Sequence, residues 1–286
     1  METYNDIYLK VRKSLKSAGV EACEMEARLI LASATCKSRE EMPEVKKTYA
    51  TDPKIKKKIN ESVRRRLTGE PIAYVLGEWE FYGISIAVNE NVLIPRVDTE
   101  ILARETINLL SKKPWQTRLL DLCTGSGCVG LAVAANVPGC RIVMADKSEQ
   151  ALAVCRANMI ASNLSRNTKA IAVDVLKAPP SLLGAFDVIV SNPPYIPTAD
   201  LEILDSSVKD YEPHEALDGG EEGLDYIRSI AEKWRKLLKK GGSLALECGV
   251  GQAATVRYIM KKNNFTDIKI YKDTLGIERV LIGTIQ

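Results

Sequence analysis

The chain has 286 residues, 45% hydrophobic and 27% charged, with a formal net charge of +3 at pH 7. That length predicts about two domains with a sizeable core, the composition argues against extensive disorder, and the charge is too mild to announce a nucleic-acid partner. No apolar run is long enough to span a bilayer, and the opening Met1-Glu2-Thr3-Tyr4-Asn5-Asp6 lacks the basic and apolar regions of a signal peptide.

Residues 3–36 read as two helices. Ile7, Val11, Leu15 and Ala18 recur at helical spacing before Gly19, and Ala27, Leu29, Ile30, Leu31 and Ala34 give the second helix an apolar face. Residues 38–51 read as irregular around Pro43. A third helix is predicted from about Asp52, with Pro53 at its first position, to Leu67. Lys54, Lys56, Lys57, Lys58, Arg64, Arg65 and Arg66 make it basic. Together these pieces predict a small helical bundle over 1–72. Residues 74–94 change character: Tyr74, Val75, Trp79, Phe81, Tyr82, Ile84, Ile86, Val88 and Leu93 are punctuated by Gly77 and Gly83, which predicts a β-hairpin within a linker over 73–97. A helix opened by Asp98 or Thr99 begins the remaining domain, 98–286.

From Arg118 onward, strand candidates at 118–123, 140–146, 168–174, 186–192 and 242–248 alternate with helix candidates at 127–136, 148–162, 223–239 and 251–263. This is the pattern of an α/β, Rossmann-like, mostly parallel sheet. The tail differs. Strands at 267–272 and 279–282 are separated only by Asp273-Thr274-Leu275-Gly276-Ile277-Glu278. A parallel crossover needs about a dozen residues or more, so the last pair is an antiparallel C-terminal hairpin.

Two loops carry chemistry. Strand 118–123 runs into Cys123-Thr124-Gly125-Ser126-Gly127-Cys128-Val129-Gly130, a G-x-G-x-x-G turn that opens a helix, and Asp146 ends the next strand. The pattern serves a dinucleotide or any ligand with an adenosine, S-adenosylmethionine (SAM) included. Asp121 separates the two: a carboxylate is awkward beside a pyrophosphate and useful beside the cationic amino group of a methionine moiety. Asp174, placed at the end of the third strand, is a candidate for the adenine amino group, and the hairpin tail also suits a methyltransferase sheet better than an NAD domain. The seven cysteines contain no C-x-x-C pair and read as free thiols of a reducing cytosol; no metal site is expected, and the lone His214 has no G-x-S-x-G to accompany it.

The second loop is Asn192-Pro193-Pro194-Tyr195, after the apolar strand Phe186-Asp187-Val188-Ile189-Val190-Ser191. Two prolines fix two φ angles and remove two donors, which makes a stiff turn at a strand's carboxyl end. Such a turn suits a planar NH2 group: the Asn192 side-chain oxygen and the Pro193 carbonyl accept its two hydrogens while Tyr195 packs on its face.

The D-L-C-T-G-S-G loop with Asp146 and Asn192-Pro193-Pro194-Tyr195 resembles class I SAM-dependent methyltransferases of planar nitrogens, whose substrates are nucleic-acid bases or protein glutamine. The linker selects among them. Arg65-Arg66-Leu67-Thr68-Gly69-Glu70-Pro71-Ile72-Ala73-Tyr74, Leu93-Ile94-Pro95-Arg96 with Asp98-Thr99-Glu100, and the tail 273–279 are similar to the release-factor glutamine N5-methyltransferases. The resemblance implies a helical substrate-docking domain, a SAM-binding domain, and methylation of the Gly-Gly-Gln glutamine of peptide-chain release factors, with S-adenosylhomocysteine as product. It implies that 123–127 (Cys123, Thr124, Gly125, Ser126 and Gly127) wrap the methionine part, with Asp121 nearby. Asp146 holds the ribose, Asp174 and Val175 flank the adenine, and Asn192, Pro193, Pro194 and Tyr195 bind the glutamine amide, Asn192 also bordering SAM. Cys123 stands where glycine is frequent, which is tolerable if its φ is negative, and Val175 stands where an aromatic is frequent. A cytoplasmic protein with no stable nucleic-acid partner and no membrane contact is expected. The alternatives are a DNA or RNA base N-methyltransferase, which needs a basic, aromatic-rich recognition surface, and a non-enzymatic SAM- or NAD-binding scaffold, which leaves the amide-binding turn without a purpose.

Overall fold

The computed structural model describes residues 2–38, 40–113 and 116–286. Met1 of the opening segment, Arg39 of the 38–51 stretch, Pro114 and Trp115 lie outside the described residues. The chain divides into two compact units, Met1–Glu78 with Ser206–Tyr211, and Trp79–Asp205 with Glu212–Gln286.

The first unit is helical. α1 (Tyr4–Ser17) opens on a capping box in which the Thr3 hydroxyl accepts from the Asp6 amide and the Asp6 carboxylate accepts from the Thr3 amide. Its buried stripe, Tyr4, Ile7, Tyr8, Val11 and Leu15, packs in one core with Ala27, Ile30 and Leu31 of α2 (Cys23–Thr35). The stretch read as irregular contains a short α3 (Met42–Val45), whose Met42 is buried in the same core. Asp52 caps α4 (Pro53–Leu67) by accepting from the Lys54 amide at 2.7 Å. Part of the α4 charge is matched inside the unit: Arg66 Nε donates to Glu26 at 2.7 Å, and Arg65 pairs with Glu70. Tyr74 and Val75, read as β from their side chains, belong to α5 (Ile72–Leu76). Pro71 before it and left-handed Gly77 after it bracket a helix too short for periodicity to tell from a strand.

The hairpin itself is smaller than expected. β1 (Glu78–Phe81) and β2 (Ile84–Ala87) form a two-stranded sheet of their own around Tyr82 and Gly83, both at positive φ, as the primed hairpin turns require. The second unit then runs through α6 (Thr99–Ser111), β3 (Arg118–Leu122), α7 (Cys128–Asn136), β4 (Arg141–Asp146), α8 (Glu149–Ala161), β5 (Thr168–Ala172) and β6 (Phe186–Ser191). The short α9 (Ser206–Lys209) clusters with the first unit. α10 (Asp225–Lys233), β7 (Leu238–Glu247), α11 (Ala253–Lys262), β8 (Phe265–Lys272) and β9 (Glu278–Ile285) complete the second.

The large sheet has the order β5-β4-β3-β6-β7-β9-β8. β9 runs antiparallel to both neighbours, and β3, β4, β5, β6 and β7 pair in parallel, so the expected mostly parallel sheet with an antiparallel C-terminal pair is present. The helix expected over 223–239 is shorter. It ends at Lys233, a 3-10 turn covers Trp234–Leu237, and β7 begins four residues before the expected start. Trp234 is fully buried and donates its indole N–H to the Val175 carbonyl at 2.8 Å, which anchors the chain where helical spacing alone would continue. The strand order reverses between β3 and β6, the place where open α/β sheets bind ligands at their carboxyl ends. Leu122 and Ser191 are register partners there, so the glycine loop and the Asn192 turn leave the sheet side by side.

Candidate active site

A cavity of about 440 Å³ opens at that switch point. Its walls come from residues 90–96, the start of α6 at Thr99, the loop after β3, the ends of β4 and β5, Asn192 and Pro194, and Tyr226 of α10.

The loop after β3 is shaped by close packing. A Cβ on Gly130 would stand 2.7 Å from Met144 Sδ and 3.0 Å from Asp121 Oδ2, and one on Gly127, at φ +85°, would stand 2.8 Å from Cys155 Sγ. Only glycine lets α7 start this close to the sheet. Asp121 Oδ2 accepts from the Thr124 hydroxyl at 2.6 Å and from the Gly130 amide at 3.0 Å. Burial pushes its carboxyl up to about 7, against those two hydrogen bonds, and the Asp146 charge raises it further. The Asp146 carboxylate accepts from the Gly125 amide at 2.9 Å and the Ser148 amide at 3.0 Å. It too lies above its ordinary value, chiefly through burial. Asp121 and Asp146 thus border one cavity, and a cationic ligand group relieves the cost of ionising them.

Cys123 corrects one expectation. Its φ is +55°, in the left-handed region and not negative. Cβ crowding there costs about 1–2 kcal/mol for an L-residue, and the thiol offsets part of it by packing against the main core.

Asp121, Cys123, Thr124, Gly125, Ser126, Asp146, Val175, Asn192 and Pro194 all border the cavity. Gly127, Asp174, Pro193 and Tyr195 are not among its walls. β5 ends at Ala172, short of the expected strand, and Val173 and Val175 line the cavity with Asp174 between them. Asp174 instead caps the turn, accepting from the Leu176 amide at 2.9 Å and pairing with Lys177 at 3.5 Å. The Val175 carbonyl is pinned by Ser229 Oγ at 2.7 Å and by the Trp234 indole. Tyr195 turns inward, where its hydroxyl donates to Glu247 Oε1 at 3.4 Å.

Several positioning contacts join residues far apart in sequence. Asn192 Nδ2 donates to Thr99 Oγ1 at 3.2 Å. Gln252 Nε2 donates to the Tyr195 carbonyl at 2.9 Å, and its Oε1 accepts from the Gly249 amide at 2.8 Å. Asn158 of α8 joins Ala87 to the glycine loop, donating to the carbonyls of Ala87 at 3.0 Å and Ser126 at 2.9 Å. Buried Glu212 accepts from the Ile94 amide and pairs with Arg96, fastening the 90–96 wall. Thr99 and Arg96 fall in the Leu93–Glu100 stretch that carries the sequence resemblance; Gln252 and Asn158 are single amides far from either motif.

Residues 6–77 match the PrmC N-terminal domain family and residues 99–208 the Methyltransferase small domain family. The chain is 40% identical over 241 residues to the release factor glutamine methyltransferase of Thermodesulfovibrio yellowstonii, covering 82% of this chain and 85% of that one. The chain belongs to the release factor glutamine methyltransferase family. Its relative from Clostridium acetobutylicum is 34% identical over 97% of both chains, so the likeness to this family includes the helical unit. The catalytic fold is wider than the family: a methyltransferase from Pyrococcus furiosus matches at a TM-score of 0.52 and 19% identity, over 77% of this chain and 96% of that one. All seven cysteines are free, and no helix among the described residues is long and apolar enough to cross a membrane.

Proposed function

We propose that this chain transfers a methyl group from SAM to the side-chain amide nitrogen (N5) of the glutamine in the Gly-Gly-Gln motif of peptide-chain release factors, in the cytoplasm. The observation that carries the reading is the Asn192 amide. Its nitrogen is taken by Thr99, so its oxygen remains for a donor in the cavity. A carboxamide NH2 is such a donor, and the adjacent Pro193 carbonyl is an acceptor for its second hydrogen.

SAM fits the cavity. The buried Asp121 and half-buried Asp146 meet a ligand that carries an ammonium and a ribose diol, and the glycine loop lets backbone approach closely. When bound, SAM supplies an electrophilic methyl group. The chain's own residues bind and orient. A carboxamide nitrogen is a poor nucleophile because its lone pair is delocalised into the carbonyl. Asn192 Oδ1 and the Pro193 carbonyl, accepting both N–H hydrogens, localise that pair and aim it. Pro194 presents an apolar wall, which favours a step in which positive charge is dispersed. A strong base is unnecessary, because the nitrogen becomes acidic once methylated.

A turn that holds only a carboxamide cannot choose one glutamine among many. Selection needs remote contacts, whose binding energy also orients the reacting amide. We assign these contacts to the helical unit, with basic α4 as part of the docking face. The test is incubation with labelled SAM, a purified release factor, short Gly-Gly-Gln peptides and a set of nucleic acids. Label is expected on the folded factor, with the peptides poor substrates. Label on DNA or RNA alone overturns the reading.

A further inference from the structure

The Asn192 amide works as a donor's partner only in one of its two orientations, and something must hold it there. Thr99 Oγ1 receives the amide nitrogen, and a hydroxyl has a single proton of its own to place. The Thr99 hydroxyl faces the Glu247 carboxyl closely enough to lower it as a donor does, and no formed hydrogen bond joins the two. Glu247 is the last residue of β7, 2% exposed. Its Oε1 accepts from Tyr195, and its Oε2 is buried with no hydrogen-bond partner among the described residues. An unsatisfied buried acceptor is costly, and a neighbouring hydroxyl proton turned toward it removes that cost. Glu247 does not itself line the cavity.

We propose that Glu247 is a positioning residue for methyl transfer: its ionised carboxylate takes the Thr99 proton, which obliges Thr99 Oγ1 to accept from Asn192 Nδ2 and turns Asn192 Oδ1 to the acceptor amide. The inference rests on the acceptor site described above. Polarity runs one way along the chain Asn192–Thr99–Glu247. With Glu247 protonated, its own O–H competes to donate to Thr99. Thr99 is then free to donate onward, and the amide can rotate to offer Oδ1 to Thr99 and its NH2 to the cavity. A donor there repels the substrate NH2.

The electrostatic surroundings give the carboxyl a working range. Burial raises Glu247 to about 7, opposed by the Thr99 hydroxyl and the Arg279 guanidinium, while Asp98 raises it. Arg279 is itself divided between Asp273, at 2.9 Å, and Asp98, at 3.3 Å, so it does not neutralise Glu247 outright. Tyr195 faces the carboxyl from the Asn192 turn and is raised by burial and then by the Glu247 charge. The half-buried thiol of Cys128 and the buried thiol of Cys248 feel the same charge. For a carboxyl the ionised fraction grows with pH, so the productive amide orientation strengthens as pH rises through about 7.

The test uses the full chain with a purified release factor, and turnover is followed from pH 5.5 to 8.5. Wild-type kcat is expected to fall on the acid side with an apparent midpoint near 7. Glu247→Gln keeps an acceptor for Thr99 without a titrating proton; it should hold near-normal kcat at high pH and lose the acid-side fall. Glu247→Leu and Thr99→Val should lose kcat roughly 10- to 100-fold at every pH, the scale of a misplaced reacting group, with SAM affinity unchanged. Thr99→Ser should rescue. A Glu247→Gln profile identical to wild type, or a Glu247→Leu kcat within a factor of about three of wild type, overturns the role. An independent readout needs no substrate. In protein labelled at asparagine nitrogen, the Asn192 side-chain resonances should titrate near pH 7 in wild type and stay fixed in Glu247→Gln. Static wild-type resonances overturn the Glu247 role alone. Titrating resonances in an enzyme that transfers nothing to a release factor overturn the acceptor assignment and leave the relay standing.

Discussion

The glycine loop after β3 and the Asn192 turn after β6 lie at the same edge of one sheet and are held in opposite ways. The glycine loop is fixed by what is absent: at Gly127 and Gly130 a single added carbon would collide with Cys155 or Met144. The Asn192 turn is fixed by what reaches it. Thr99, Glu247 and Gln252 hold its side chains and backbone from three other elements. A loop that receives a constant cofactor is built into local sequence and close packing. A turn that must orient one amide dipole borrows its directionality from a hydrogen-bond network.

The sharpest way to break that contrast is Asn192→Ala. Losing one preorganised acceptor should lower kcat on the order of 10²- to 10³-fold, while SAM affinity stays largely intact, because the loss falls on the transition state. Turnover with a release factor and calorimetry with SAM measure the two halves. Near-normal turnover would show that the amide turn is not the reacting site.

A smaller effect should appear on the cofactor side alone. Asp121 is pushed up to about 7 by burial, and a cationic ligand group draws its ionisation back down. Below pH 7, binding must therefore expel a proton, and SAM affinity should weaken as pH falls, by at most about tenfold per unit. The same shift has a stability sign. A carboxyl raised in the folded state holds its proton better there than when unfolded, so it costs the ligand-free protein stability as pH rises through 7. Calorimetry in buffers of different ionisation enthalpy counts the proton; SAM binding independent of pH from 6 to 8 would separate Asp121 from the ligand.

The smallest effect is expected at Cys123→Gly. Relief of the left-handed φ is worth about 1–2 kcal/mol, and loss of the packed thiol group costs about 1 kcal/mol. Thermal unfolding should move by only a few degrees, and SAM affinity should change little. A large destabilisation would mean that side-chain packing, not backbone shape, holds this end of the loop.

The sequence by itself determined the alternation that builds the sheet, the antiparallel tail, the glycine loop with its two carboxylates and the Asn192 turn. Each is a local signal: a period, a short link, or residue types at fixed spacing. Tertiary structure decided the rest. Val173 and Val175 face the cavity while Asp174 caps a turn, because the strand stops at Ala172 and the Val175 carbonyl is held by Trp234 and Ser229. Tyr195 points inward to Glu247 and leaves Pro194 at the cavity wall. The orientation of Asn192 depends on Thr99, 93 residues earlier, and Glu247 meets Tyr195 across a separation of 52. A hydrogen bond between side chains that distant in sequence leaves no periodic trace, since its geometry exists only once α6, β6 and β7 have packed together.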